Sequence, residues 1–500
     1  MNDPNGLVYL EGEYHLFFQY NPFGDRWGHM SWGHALSRDL VHWQHLAPAL
    51  LEEDGVMIFS GSAVVDRQNT SGLGSAGEPL LAALYTGHHA AGPLQTQNLA
   101  YSTDRGRSWV KYGGNPVLDV GRKEFRDPKA FWHGPTGRWV MVVALPDERR
   151  VSFYASRNLS EWEYLSDFGP AGSTAGIWEC PDLFELPVEG TAGSRWVLIV
   201  SVGDHAPAGG SGCQYFVGDF DGVRFTAEPI GTGHHVPAGT GQTGSGEVPD
   251  GETELAQSRE VAQWVDYGPD FYAAVSWSNA PQPDGRPPWI GWMNNWRYAE
   301  KIPTRPWRGA MSVPRDLALR RVGGQPLLVQ RPTPSLQQLR QSHQRIEREK
   351  VDSKVSIRPS GRPDLRTYEL DAVLEPAADA AFEILFARGS GEATILRVDV
   401  PSGYLSLDRS RSGQVGFDSD FPGSYRAPFR LRNGRLRLQA LIDRSSVELF
   451  VNEGEQVITS LIFPNPSSSG LDLEVGRGRL ETLQVDLWDL ASVWTEPSPH

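Results

Sequence analysis

Three short stretches of this chain each hold a carboxylate among residues that constrain it: Met1-Asn2-Asp3-Pro4-Asn5-Gly6, Phe125-Arg126-Asp127-Pro128 and Trp178-Glu179-Cys180-Pro181-Asp182. Such a set suits the cleavage of a glycosidic bond. In that chemistry one acidic group attacks or activates the attacker, a second protonates the leaving oxygen, and a third can stabilise the cationic transition state. Taken singly, the stretches have plainer readings. Asn2 to Pro4 would also make an Asx-Pro turn, and Arg126 with Asp127 would also make a surface ion pair. Glu179 beside Trp178 is the hardest to explain away, because a buried acid normally has a partner or a function.

The elements that position these acids must come from a chain too long for a single compact core, since 500 residues point to two or more domains. With 46 basic against 61 acidic residues and a formal net charge of -15, nucleic acid and anionic membrane are excluded as natural partners, whereas uncharged sugars are not. The 17 tryptophans fit sugar faces, although most of them must fill core. Cys180 and Cys213 are too few for a disulfide framework and lack metal-site spacing. The longest apolar runs, Trp139 to Leu145 and Trp196 to Val202, have strand length and fall far short of a membrane span.

Short runs of Val, Tyr, Phe and Trp bounded by Gly, Pro, Asn and Asp, with almost no helical periodicity, predict an all-β fold. A degenerate repeat makes it a propeller. Ser37-Arg38-Asp39-Leu40 before Trp43, Ser102-Thr103-Asp104 before Trp109, and Ser156-Arg157-Asn158-Leu159 before Trp162 recur at about 54 to 65 residues, one four-stranded blade with its loops. Gly218 to Gly222 falls near the next interval, and Trp289 to Trp296 begins the fifth. Residues 1–330 therefore suit a five-bladed β-propeller. The stretch 331–350, rich in Gln, Arg and Glu, reads as a linker or short helix. From 351 to 500 alternation resumes, with a hairpin turn at Asn433-Gly434, and a C-terminal β-sandwich of two packed antiparallel sheets fits best. The Gly-rich stretch 231–251 is expected to be a long surface loop. Trp32, His34 and Trp43 read as packing residues of a blade.

Seven stretches in order resemble glycoside hydrolase family 32, the invertase, levanase and inulinase family: 1–6, 17–22, 32–35, 59–62, 125–128, 178–184 and 266–273. Ile442-Asp443-Arg444-Ser445-Ser446-Val447-Glu448 resembles the family's C-terminal β-sandwich. The resemblance implies Asp3 as a nucleophile that forms a covalent fructosyl-enzyme. Glu179 would be the acid that protonates the leaving oxygen and later activates water, and Asp127 would hold fructose hydroxyls and stabilise the transition state. It also implies substrate contacts from Asn2, Gln19, Trp27, Phe59, Ser60, Arg126 and Trp292, with Tyr267 as a further candidate. No metal or organic cofactor is called for.

The stretches 24–32 and 291–308 look more like exo-acting levanases and inulinases than sucrose-specific invertases. The implied reaction is release of terminal β-D-fructofuranosyl units from a fructan (levan or inulin) or sucrose. The competing readings are a sucrose-specific invertase, a fructosyltransferase and a non-catalytic fructan-binding propeller, of which the last would not need all three acids. Members of the family usually carry a stretch before the Asn-Asp-Pro motif. The expectation is therefore an upstream segment that would anchor Asp3 and a leader that would direct secretion, the alternative being a cytoplasmic protein without a leader.

Overall fold

The computed structural model describes residues 1–75, 78–229, 262–281, 285–357 and 365–494. The stretch 231–251 expected to be a loop lies outside the described residues. The described residues between 4 and 332 form five sheets, each built on four antiparallel strands, in which neighbours in sequence are almost always neighbours in space. The two-residue strands Gln263–Trp264 and Ala310–Met311 extend the fourth and fifth. The innermost strands are Pro4–Leu10, Val56–Asp66, Arg126–His133, Trp178–Pro187 and Tyr272–Ser276. Each packs on the next in that order, and the fifth packs back on the first. There the Tyr9 N–H donates to the Ser278 carbonyl (3.0 Å) and the Ser278 N–H to that of Leu7 (2.9 Å), making a five-bladed propeller.

Blades stacked face to face bury both sides of their middle strands, so these read as continuous apolar runs. Arg138–Leu145 is buried at every position after the first. The turn repeat marks the same corner in successive blades, between the third and fourth strands. Ser37, Ser102 and Ser156 each donate a hydroxyl to the Asp or Asn two residues on, whose N–H returns to the serine oxygen. The following residue, Leu40, Arg105 or Leu159, takes a left-handed backbone at φ 66°, 60° or 64°. Asp221 caps the equivalent corner of the fourth blade through the N–H groups of Val223 and Arg224. Trp32 and His34 are buried, and His34 Nε2 lies 3.0 Å from His15 Nδ1; Trp43 stacks on Trp277.

Two six-stranded antiparallel sheets make the sandwich, around one core that includes Leu370, Phe386, Leu438, Leu483, Val485 and Leu487. Here alternation is plain, with Leu436, Leu438 and Ala440 inward and Arg437 outward. The stretch 331–350, expected to be a linker or short helix, holds a short 3-10 helix and then a strand. Pro334–Leu339 is a 3-10 turn, and Arg340–Val351 is a twelve-residue strand paired with Leu480–Leu490 at the edge of a sheet. An edge strand with one wet face can be polar at most positions, so its composition imitates a linker.

The propeller and sandwich are joined by the stretch 266–270, which lies along the sandwich's edge strand Gln456–Leu461. The Tyr267 N–H donates to the Val457 carbonyl (2.8 Å), and the Thr459 N–H to Asp266 Oδ1 (2.9 Å). A side chain at Gly268 would put its Cβ 2.1 Å from the Thr459 carbonyl, so only glycine allows this approach. Two arginines, both fully buried, lock the contact. Arg315 binds Glu448 (2.6 Å), Thr459 (2.6 Å) and Asp266 (3.2 Å), and Arg409 binds Asp270 (2.5 Å) and the Tyr298 hydroxyl (2.7 Å). No helix among the described residues is long and apolar enough to cross a membrane.

Breaking this latch should be costly. Arg315→Ala leaves Asp266 and Glu448 buried without their cation, and should destabilise the protein by about 3 to 5 kcal/mol. Arg345→Ala, on the exposed pair with Glu347, should leave stability almost unchanged. Urea denaturation of the two variants beside the parent protein measures the contrast.

Candidate active site

All five innermost strands are irregular near their first residues, at one end of the channel. The pairing register skips one residue between Asn5 and Val8, Ile58 and Gly61, Arg126 and Lys129, Glu179 and Asp182, and Tyr272 and Val275. Each skip is a β-bulge, which breaks the strict alternation of a strand and re-aims side chains. Four bulges contain a left-handed residue: Gly6 at φ 55°, Asp127 at 64°, Cys180 at 46° and Ala273 at 53°. Glycine is required at the first, because a Cβ there would lie 2.6 Å from the Phe17 ring.

The three acids meet at these bulges. Asp3 precedes the first strand, Asp127 sits in the third bulge and Glu179 opens the fourth. Asp3 accepts hydrogen bonds from the Ser60 hydroxyl (2.7 Å) and the Asn2 amide (3.2 Å). The Cys180 N–H donates to Asp127 Oδ2 (2.9 Å), and its thiol lies 3.5 Å from that oxygen and 3.7 Å from Asp3 Oδ2. Glu179 accepts from Arg126 Nε at 3.0 Å and from the Tyr272 hydroxyl at 2.5 Å. Arg126 also reaches Gln95 (3.2 Å) and the carboxylate of Glu124. Behind Asp127, its N–H donates to the Thr86 hydroxyl (3.0 Å), which donates to Gln97 (2.8 Å).

Burial governs the electrostatics. It pushes Asp127 up to about 7; Arg126 opposes the shift, while Glu179 and Asp3 add to it. Asp3 is raised by burial and by Glu179, against the hydrogen bonds from Ser60 and Asn2. Burial also raises the Cys180 thiol and the Tyr272 hydroxyl well above their usual values, so both remain protonated donors. Asp127 therefore retains a proton close to neutral pH, and Asp3 is held above the ordinary aspartate range. Glu179 has the more accessible position, its side chain 19% exposed, whereas Asp127 is 6% exposed as a residue.

Most of the other expected residues gather here. The Asn2 N–H donates to the Gln19 carbonyl (3.2 Å) and the Gln19 N–H to that of Asp3 (3.0 Å), so Gln19 holds the backbone on both sides of the acid. With its amide turned to satisfy both ends, Asn5 accepts from Gln19 Nε2 (3.1 Å) and donates to Ser60 (3.2 Å). Trp27 is 48% exposed and meets Phe59 edge-on at 5.9 Å; Phe59 stacks on His88 at 4.5 Å. Trp292 is buried, 6.4 Å from the Tyr272 ring and 4.7 Å from that of Trp296.

Tyr267 does not join the group. It packs between the propeller and sandwich cores, its backbone on the sandwich edge strand. Tyr272, five residues later, is the tyrosine that touches an acid. The available signal was its place at the start of the apolar run Tyr272-Ala273-Ala274-Val275, whereas Tyr267 stands between Asp266 and Gly268-Pro269, a turn. Asn5, Glu124 and Thr86 were also missed, and only the first lay inside a motif.

Comparison with known proteins agrees with this geometry. Residues 1–332 match the glycosyl hydrolases family 32 N-terminal domain, and residues 335–489 match the family's C-terminal domain. A levanase from Bacillus subtilis (strain 168) is 44% identical over 99% of this chain and 69% of its own length. An extracellular exo-inulinase from Aspergillus ficuum is 37% identical over 99% of this chain and 93% of its own. The crystal structure of an exo-inulinase from Aspergillus awamori superposes with a TM-score of 0.86 at 35% identity, covering 99% of this chain and 96% of that one. By both domains, its relatives and its architecture, this chain belongs to glycoside hydrolase family 32.

Proposed function

We propose that the chain is a retaining β-fructosidase that removes terminal fructofuranosyl units from fructans and sucrose, with Asp3 as nucleophile, Glu179 as acid and base, and Asp127 holding the sugar. The observation that carries this reading is the meeting of all three carboxyls at one channel end, with Cys180 in contact with two of them and Arg126 and Tyr272 gripping the third. In the first step an Asp3 oxygen bonds to the anomeric carbon while the bond to the leaving oxygen breaks, and that oxygen takes the proton from Glu179. In the second, Glu179 takes a proton from water, the resulting hydroxyl bonds to the anomeric carbon, and the Asp3 ester bond breaks. Ser60 and Asn2 fix the attacking carboxylate through hydrogen bonds, which also favour its ionised form. Asp127, fully hemmed in by Cys180 and Thr86, has the fixed geometry needed to bind sugar hydroxyls and face developing positive charge.

Fructan rather than sucrose alone is favoured by the rim. Phe23 (79% exposed), Trp27 (48%), Trp296 (36%) and Trp307 (52%) stand on two stretches joined by the Arg308–Asp25 ion pair and by the Trp27 N–H on Glu300. Exposed aromatic faces suit the further sugars of a polymer. The extracellular exo-inulinase among the relatives supports work outside the cell.

Two measurements test the roles. Glu179→Ala should lower turnover of sucrose by about 100-fold or more while activated leaving groups, which need no proton, lose much less in the fructosylation step. Equal losses on both would count against the acid. The pH dependence has a definite sign: burial raises Asp3, so as the pH falls it gains a proton above the ordinary aspartate range and ceases to attack. The profile of kcat/KM should be a bell, because Asp3 must be ionised and Glu179 protonated, with its acid limb above the ordinary aspartate value of about 4.

A further inference from the structure

One layer deeper in the channel, just past the bulges, lies a buried cation. Lys129 follows Asp127 by two residues, and its ammonium donates to the Ser276 carbonyl (2.7 Å), the Ser276 hydroxyl (3.2 Å) and Asp182 Oδ2 (3.2 Å). The Ser276 N–H donates to the same Asp182 oxygen at 2.7 Å, and Asp182 Oδ1 has no partner among the described residues. Lys129 is 6% exposed, Asp182 0% and Ser276 4%. Burial lowers Lys129 from its ordinary range, while Asp182 opposes the shift and the Ser276 carbonyl and the carboxylate, which only accept, favour the charged ammonium.

These residues belong to the innermost strands of blades 3, 4 and 5, the strands that bring Asp127, Glu179 and Tyr272 to the site. The innermost strands of blades 3, 4 and 5 do not share a sheet, so side chains help to set their spacing. Lys129 touches two neighbouring blades at once, immediately behind the acids. It is also a positive charge behind a cluster that has three carboxyls and a single arginine. The titratable groups near it are Asp182 on blade 4 beside it, and Asp127, Glu179, Cys180 and Tyr272 with Arg126 in the layer above. The innermost strands of blades 1 and 2 bring Asp3, Asn5, Ser60 and Ser62, the last accepting from the Ala130 N–H (2.9 Å).

We infer that Lys129, paired with Asp182 and Ser276, is a positioning residue for the reaction: it sets the spacing of the strands that carry Asp127, Glu179 and Tyr272 and biases their ionisation. The inference rests on the acid roles proposed above. Lys129→Met removes the cation, so the acids should protonate more readily and both limbs of the kcat/KM profile should move up by about half a pH unit. Asp182→Asn removes an anion, and the limbs should move down by a similar amount. Lys129→Met/Asp182→Asn removes both charges, leaves no unpaired buried carboxylate and returns the limbs toward the parent. Having lost the tie, it should still turn over sucrose about 10-fold more slowly with KM within about threefold.

A purely structural pair would lower the melting temperature of these variants without moving the limbs. The proposal is overturned if the folded double variant keeps kcat within about twofold of the parent protein, or if the single variants leave the limbs in place. Should the double variant not fold, Asp182→Asn decides by its limbs alone, a downward shift supporting the proposal and an unmoved profile overturning it. Glu179→Ala in the same assays separates the two readings. If it stays active on sucrose, the acid assignment fails; if it is inactive and the Lys129 and Asp182 variants behave as the parent, only the positioning role fails.

Discussion

Everything at the channel mouth depends on holding three carboxyls together in a poorly solvated place against their own repulsion. Taking one ionised carboxylate out of water costs several kcal/mol even after relaxation. The compensation is spread over many contacts: one guanidinium on Glu179, a backbone donor on Asp127, a hydroxyl donor on Asp3, and a proton retained by Asp127 close to neutral pH. A hydrogen bond to a charged group returns roughly 1.5 to 3 kcal/mol, so no single donor suffices and each acid has more than one. Under the roles proposed for the acids, incomplete compensation also keeps the site reactive, since an attacking carboxylate solvated as in water would gain little from being there.

The bulges are how the fold meets that demand. A regular strand turns alternate residues away from the channel, but an extra residue at the start of each innermost strand lets neighbours such as Arg126 and Asp127, or Glu179 and Cys180, both reach the cluster. Left-handed backbone at a non-glycine costs about 1 to 3 kcal/mol. Asp127, Cys180 and Ala273 each bear that strain. It persists because the rest of the structure overdetermines it. The stretch that begins at Asp266 on the sandwich edge runs through Asp270, which binds Arg409, and ends at Tyr272 on Glu179. Seven residues therefore link the domain latch to the acid, which gives the sandwich a mechanical role in holding the site.

Much of this was legible in the sequence, for identifiable reasons. The Ser-x-Asp corners repeat because each satisfies its own backbone within three residues, so they show in a linear text. The acids stood out because proline, glycine and tryptophan crowd them. What escaped needs a second strand to define it. A bulge is a mismatch with a partner, the choice between Tyr267 and Tyr272 turns on which one faces another blade, and the polar edge strand Arg340–Val351 is recognisable only once its partner Leu480–Leu490 lies beside it.

The proposed reaction requires that the crowded acids act through a covalent bond between the sugar and Asp3. Its most direct test is to treat the Glu179→Ala protein with a fructoside bearing an activated leaving group, quench, digest with protease and sequence the modified peptide by mass spectrometry. Without Glu179 to activate water, the account predicts that one fructosyl unit accumulates on the peptide containing Asp3, and that Asp3→Asn in the same background abolishes it. Release of fructose with no adduct on any peptide, or an adduct on Asp127 in place of Asp3, would contradict it.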